Sequence, residues 1–173
     1  MNIHTKRLLL EPLGSRHLIS THKYASDFDN TKYMVYLPNT DIRETESFLE
    51  RVQAEWEKYN PQFYEFAILL DNKHIGAVSI YINNENAEGE LGWIICKEFW
   101  GNGYAAEAAS AIIHFAIQEL KIRKFIAHCD SENVSSSRVM EKLGFSLVER
   151  ANGRKNKSSD EEREELMYSL EIK

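Results

Sequence analysis

Glu90-Leu91-Gly92-Trp93-Ile94-Ile95-Cys96-Lys97-Glu98-Phe99-Trp100-Gly101-Asn102-Gly103-Tyr104-Ala105-Ala106-Glu107-Ala108 is the stretch on which the reading of this chain turns. An apolar, strand-forming run enters a Gly-x-Gly turn, and the turn opens an Ala-rich helical segment. Such a turn aims several backbone N–H groups and the positive end of a helix dipole at one spot. Glycine at 101 and 103 lets that backbone approach a ligand with no side chain in the way. A phosphate or pyrophosphate is the natural guest, although the pattern alone fits a tight strand-to-helix turn that holds nothing. It is not the dinucleotide fingerprint, which needs a third glycine and an acidic residue after the next strand. Nor does it end in the Gly-Lys-Ser/Thr of a nucleoside triphosphate loop.

Upstream of this stretch, Arg7 to Glu11 reads as a strand, and Ser15 to Asp27 and Ile42 to Tyr59 read as helices. Phe48, Leu49, Val52, Trp56 and Tyr59 fall at helical spacing, and Asp41 with Glu44 makes a capping pair. Strands follow at Tyr64 to Leu70 and Ile75 to Ile82, joined through Asp71-Asn72-Lys73, and then at Glu90 to Cys96. A helix is expected over Gly103 to Leu120, burying Ala109, Ile112, Ile113, Ala116, Ile117 and Leu120. Downstream come a strand at Lys124 to Cys129 and a short helix at Val134 to Leu143 stopped by Gly144. Strands at Phe145 to Glu149 and Glu165 to Leu170 follow, with a charge-rich loop between Arg150 and Glu165. This order predicts an α+β fold: one mixed sheet of about seven strands with about four helices, in a single domain over residues 1–173. The strand-helix-strand unit from Glu90 to Cys129 should be parallel.

The net charge of -6 argues against nucleic acid as the main partner, because phosphate binding wants a basic surface. No apolar run approaches the length of a membrane span, so no membrane partner is expected. The start, Met1-Asn2-Ile3-His4-Thr5-Lys6-Arg7, lacks the apolar core of a signal peptide, and the expected compartment is the cytoplasm. Cys96 and Cys129 lie in apolar strands and are read as reduced, buried thiols. Metal-ligand spacing is absent from the His, Cys and carboxylate residues, and no metal is expected. Monomer and homodimer both remain open.

Three segments carry a family resemblance. The run from Glu90 to Ala108 is similar to the acetyl-CoA motif of the Rim-type branch of GNAT N-acetyltransferases, the relatives of ribosomal-protein N-terminal acetyltransferases. Asn133-Val134-Ser135-Ser136-Ser137-Arg138-Val139-Met140-Glu141-Lys142-Leu143-Gly144-Phe145 resembles that branch's second motif, and Thr5-Lys6-Arg7-Leu8-Leu9-Leu10-Glu11-Pro12-Leu13 its opening strand. Two departures stand out. Trp100 replaces the Arg or Gln of the wider superfamily, although it is usual in this branch, and Asn102 replaces a residue that is often basic.

The resemblance implies a GNAT fold in which the Glu90–Cys96 and Lys124–Cys129 strands splay into a V that holds acetyl-CoA. The edge at Trp93, Ile94, Ile95 and Cys96 would then pair the pantetheine arm and polarise the thioester carbonyl. The amides of Gly101, Asn102, Gly103, Tyr104, Ala105 and Ala106 would meet the pyrophosphate. Ser136 matches the hydroxyl that serves the departing sulfur, and Asn133 would contact the pantetheine arm or a water. Both also suit the N-terminus of a helix, where Asn133 is a good cap. Glu90 is the leading base, direct or through water, and solvent with a low-pKa amine is the alternative. His74 and His128 rank behind it. No local Cys–His catalytic pairing is read for Cys96 or Cys129, and the resembled family transfers directly, so neither is read as an acyl-carrying nucleophile. The acceptor is an amine-bearing small molecule or a protein N-terminus, in a pocket walled by Tyr33, Tyr36 and Trp93, with the Arg150–Glu165 loop available to complete it. A GNAT-like module that binds acetyl-CoA for sensing or scaffolding, with little transfer, is the other reading.

Overall fold

In a computed structural model describing residues 1–173, the chain builds one eight-stranded sheet in the order β1-β2-β3-β4-β5-β6-β8-β7. The strands are β1 Ile3–His4, β2 Leu9–Pro12, β3 Phe63–Leu70, β4 Lys73–Asn83, β5 Glu88–Ile95, β6 Lys124–Asp130, β7 Ser146–Lys155 and β8 Glu162–Glu171. The helices are α1 Leu18–Ala25, α2 Phe28–Thr31, α3 Ile42–Trp56, α4 Tyr104–Phe115 and α5 Val134–Lys142. Neighbouring strands pair antiparallel except β5 with β6, which are parallel and joined through α4. The architecture is the expected α+β mixed sheet. No helix is long and apolar enough to cross a membrane.

Successive strand residues point to opposite faces, and both faces are covered. Phe66, Ile68, Val78, Ile80, Leu91 and Phe125 pack with Ala108, Ile112 and Phe115 on the α4 face. Ala67 and Ala77 meet Tyr24, Leu49 and Val52 on the α3 face. The small residues on the second face let α1 and α3 lie close to the strands. Helix α3 starts as read: Asp41 accepts from the Arg43 N–H at 2.9 Å, and Glu44 reaches back to the Asp41 N–H at 3.0 Å. Gly144, at φ +91°, ends α5, and the Phe145 N–H returns to the Met140 carbonyl at 3.0 Å.

Four expectations need correction. The extra strand is β1, two residues long and paired to β2. The extra helix is the four-residue α2, capped by the Asp27 carboxylate on the Asn30 N–H at 3.0 Å. The long helix after the Gly-x-Gly turn relaxes into a π-helical turn at Ala116–Leu120. The segment read as a loop from Arg150 to Glu165 is mostly a β-hairpin, with Arg154 opposite Arg163 and Lys155 opposite Glu162. As the sheet edge, β7 is exposed over nearly its whole length, so it shows no apolar alternation to read.

Candidate active site

β5 and β6 pair over only three rungs, Glu88 with Lys124, Gly89 with Phe125 and Glu90 with Ile126. Beyond that rung the strands run on to Ile95 and Asp130 without pairing, which opens a V between them. The cleft lies at the carboxyl ends of parallel strands, where open α/β sheets bind ligands. The register decides which atoms face it. Cys96 N–H bonds the Ile75 carbonyl at 2.8 Å, and in an antiparallel ladder this directs the backbone of Cys96, Ile94 and Gly92 toward β4. Trp93 and Ile95 therefore face the cleft. The Ile95 carbonyl is already engaged, accepting from Trp100 Nε1 at 2.7 Å and Asn30 Nδ2 at 2.6 Å. Of the four residues expected to pair a pantetheine arm, Ile94 and Cys96 are turned away, and Trp93 offers both backbone groups to the gap. Its indole packs into the α4-side core, so the acceptor-wall role expected of it has no support in the side chain's direction. Trp100, a departure from the wider superfamily, fastens the strand end to the turn.

The turn itself is shaped by two left-handed glycines, Gly101 at φ +77° and Gly103 at φ +79°. The Asn102 amide donates to the carbonyls of Phe99 and Trp100, both at 3.0 Å, so it supports the loop instead of supplying charge. Gly103 caps α4, leaving the first amides of Tyr104, Ala105 and Ala106 at the positive end of the helix. Positive charge comes from elsewhere in the chain. A Cβ on Gly103 would stand 3.6 Å from Arg7 Nη2 and 3.7 Å from Lys142 Nζ. Arg7 is held by Glu107, which accepts from its Nε at 2.7 Å and its backbone N–H at 2.8 Å, and its guanidinium lies 4.6 Å from the centre of the Tyr104 ring. Thr5 completes this clasp by donating to Glu107 at 2.6 Å. Two cations converging on a glycine at a helix N-terminus fit a pyrophosphate. Sequence reasoning had both residues inside its motifs, Thr5–Leu13 and Asn133–Phe145, but gave neither a role.

Helix α5 runs beside this cradle. Asn133 Oδ1 accepts from the Ser136 N–H at 3.3 Å, as a cap should, which leaves its Nδ2 for other partners. Ser136 is half-buried in the first turn of α5, next to Ser137, whose hydroxyl lies 3.5 Å from Cys129 Sγ on β6. Six residues of helix, roughly 9 Å, separate Ser136 from Lys142. A ligand with its phosphates at Gly103 and its arm in the cleft therefore passes along α5.

Glu90 lies on the α3 face of the sheet at the last paired rung, and its Oε1 is 2.8 Å from His128 Nδ1. This hydrogen bond raises the His128 pKa above its ordinary value, against the lowering effect of burial. His74 sits elsewhere, bonded to Ser20 Oγ at 2.7 Å and the Gly76 carbonyl at 2.8 Å, and burial lowers its pKa to about 4. Both cysteines are free and buried. Burial pushes the Cys96 thiol up to about 11 and moves Cys129 the same way, which disfavours the thiolate a nucleophile needs.

On the side where the acceptor is expected, the hairpin is strapped to the segment carrying Tyr33. Arg154, whose side chain is 9% exposed, pairs with Glu165 at 2.5 Å and donates to the Tyr33 carbonyl at 2.8 Å. Lys157 N–H meets the Met34 carbonyl at 3.0 Å. Tyr36, by contrast, projects into solvent at 86% exposure and lines no wall in this conformation.

Residues 7–146 match the family model described as Acetyltransferase (GNAT) domain. Uncharacterized N-acetyltransferase YnaD of Bacillus subtilis (strain 168) is 29% identical over 147 residues, 84% of this chain and 82% of the relative. The acetyltransferase (GNAT family) from Bacillus anthracis superposes with a TM-score of 0.83 at 26% identity, covering 99% of this chain and 98% of its own. RimL, a ribosomal L7/L12 alpha-N-protein acetyltransferase solved in complex with coenzyme A, gives a TM-score of 0.86 over 99% of this chain and 98% of its own. Its 18% identity makes that a likeness of fold. With the family model spanning most of its length, this chain belongs to the GNAT acetyltransferase family, as an N-acetyltransferase.

Proposed function

We propose that residues 1–173 form one catalytic domain that transfers the acetyl group of acetyl-CoA to a primary amine by direct attack of the neutral amine on the thioester carbon. The observation that carries this reading is the parting of β5 and β6 after Glu90 and Ile126, which leaves the Trp93 N–H and C=O facing the cleft. In this reading the pantetheine arm donates to the Trp93 C=O, which leaves the Trp93 N–H for the thioester, and the amides of Gly101 to Ala106 with Arg7 and Lys142 hold the pyrophosphate. RimL, of the same fold, was solved with coenzyme A bound.

Attack forms the C–N bond, and collapse of the tetrahedral intermediate breaks C–S. In this reading the Trp93 N–H, which faces the cleft, stabilises the developing oxyanion, where preorganised donors act most strongly. Ser136 donates a proton to the departing sulfur, and Asn133 Nδ2 steadies the arm or a water beside it. The proton of the incoming ammonium passes to the Glu90–His128 pair. An acidic chain steers a cationic acceptor by long-range attraction, which suits a peptide N-terminus or a small amine.

A panel assay tests this. Free thiol and acetylated amine are followed together, by chromatography, over N-terminal peptides, polyamines, amino sugars and amino acids. The expected result is thiol release in step with acetylated product for one class. Tight binding of acetyl-CoA with no product from any class would favour the sensing module and overturn the transferase reading.

A further inference from the structure

We propose that His128 takes the proton from the acceptor ammonium, and that Glu90 is the positioning residue that holds its ring. This rests on the reading of the same cleft as an acetyl-transfer site. Glu90 stands at the last rung joining β5 to β6, whereas His128 lies two residues further along β6, where the strands have parted. By strand alternation both point to the α3 face, away from Phe125, Ala127 and Cys129. The Glu90 carboxylate accepts from His128 Nδ1 at 2.8 Å, which fixes the tautomer with the Nδ1 proton and leaves the lone pair on Nε2. No protein group bonds Nε2, and the His128 side chain is 27% exposed, so an amine entering from the α3 side can reach it.

Chemistry favours the imidazole over the carboxylate. An unperturbed Glu has a pKa of about 4.3 and holds an ammonium proton poorly, whereas His titrates near neutral pH. Three charged groups bear on His128: Glu90 from β5 and Glu165 from β8 favour its protonated form, and Arg154 from β7 opposes it. The proton balance is complete without a further reactant. Neutral His128 takes one proton from the ammonium and becomes an imidazolium paired with Glu90. The freed amine attacks the thioester carbon, the C–S bond breaks, and the second nitrogen proton reaches the sulfur through Ser136. His128 returns its proton to solvent, so each turnover yields amide, thiol and one released proton.

The pH dependence of kcat/KM, measured with one active amine for wild type, His128→Gln and Glu90→Gln, tests the assignment alongside an NMR titration of His128. His128→Gln should lose roughly 10²-fold or more of kcat/KM near neutral pH with acetyl-CoA affinity unchanged. Its profile should also lack the ionisation that NMR assigns to His128 in the wild type. Glu90→Gln should move that midpoint to lower pH in both measurements, a shift a merely structural pair would not impose on turnover. Wild-type kcat/KM with an unaltered profile in His128→Gln overturns the proposal and leaves acetyl transfer intact. If His128→Gln does not fold, Glu90→Gln decides, and an unmoved midpoint overturns the proposal. A wild-type chain that acetylates no amine overturns the transfer reading itself, before any variant is made.

Discussion

Gly103→Val probes the proposed cofactor cradle at the glycine where Arg7 and Lys142 converge. Gly103 holds φ +79° and ψ 11°, a left-handed conformation in which a β-branched residue is a steric outlier. The strain costs about 1–2 kcal/mol, which for a domain of this size lowers Tm by roughly 2–8 °C and leaves the fold standing. The protein itself makes room for the new Cβ, since its nearest neighbours, Arg7 Nη2 and Lys142 Nζ, would be at 3.6 and 3.7 Å. If the pyrophosphate sits at this turn, as proposed, what the side chain displaces is a phosphate oxygen between those cations. Losing two charge-assisted hydrogen bonds, each worth about 1.5–3 kcal/mol, weakens CoA binding by roughly 10²–10⁴-fold. Calorimetric titration of the folded variant reads this, with pantetheine, which lacks the pyrophosphate, as the internal control. The expected result is severe loss for CoA and little change for pantetheine. Undiminished CoA affinity would refute the placement of the pyrophosphate at this turn.

Lys142→Gln removes one of the two cations and should weaken CoA about 10-fold, with a smaller loss of affinity on adding salt than wild type shows. Ser136→Ala should lower kcat while leaving CoA affinity unchanged; because a thiolate is already a fair leaving group, the drop should sit at or below the low end of the usual ~10²–10⁴-fold for general acids, and wild-type kcat would reduce Ser136 to a first-turn residue of α5. Glu65 offers a test of stability. Buried on β3 and accepting from Tyr81 Oη at 2.8 Å, it has its pKa raised by burial from 4.5 to about 7. The folded state then binds more protons than the unfolded between those values, so this group's contribution falls as pH rises from 4.5 to about 7, by on the order of 3 kcal/mol. Glu65→Gln should flatten that part of the unfolding-versus-pH curve, and an unchanged slope would contradict the assignment.

Local chemistry made much of this molecule legible in advance. The Gly-x-Gly turn, the Asp41–Glu44 cap, the Asn133 cap and the Gly144 stop are each written in residues a few positions apart, and each is present. Periodicity found the strands and helices with buried faces. It stopped β7 at Glu149, short of Lys155, because the exposed strand gives no alternation to follow, and it missed α2, too short to show a period. The site was legible where it is built by one segment and illegible where it is built by several. Arg7 and Lys142 meet at Gly103 from opposite ends of the chain, and His128 meets Glu90 across a crossover helix. Strand register, which turns Ile94 and Cys96 away from the cleft, depends on pairing with β4 that the β5 sequence does not encode by itself.

Crystallising the protein with acetyl-CoA tests the placement of the cofactor in the cleft most directly. The expected electron density places the pantetheine arm between β5 and β6, hydrogen-bonded to the Trp93 backbone, with the pyrophosphate on the amides of Gly101 to Ala106 between Arg7 and Lys142. Acetyl-CoA bound outside that cleft, or β5 and β6 zipped together past Glu90 and Ile126 with the ligand excluded, would contradict it.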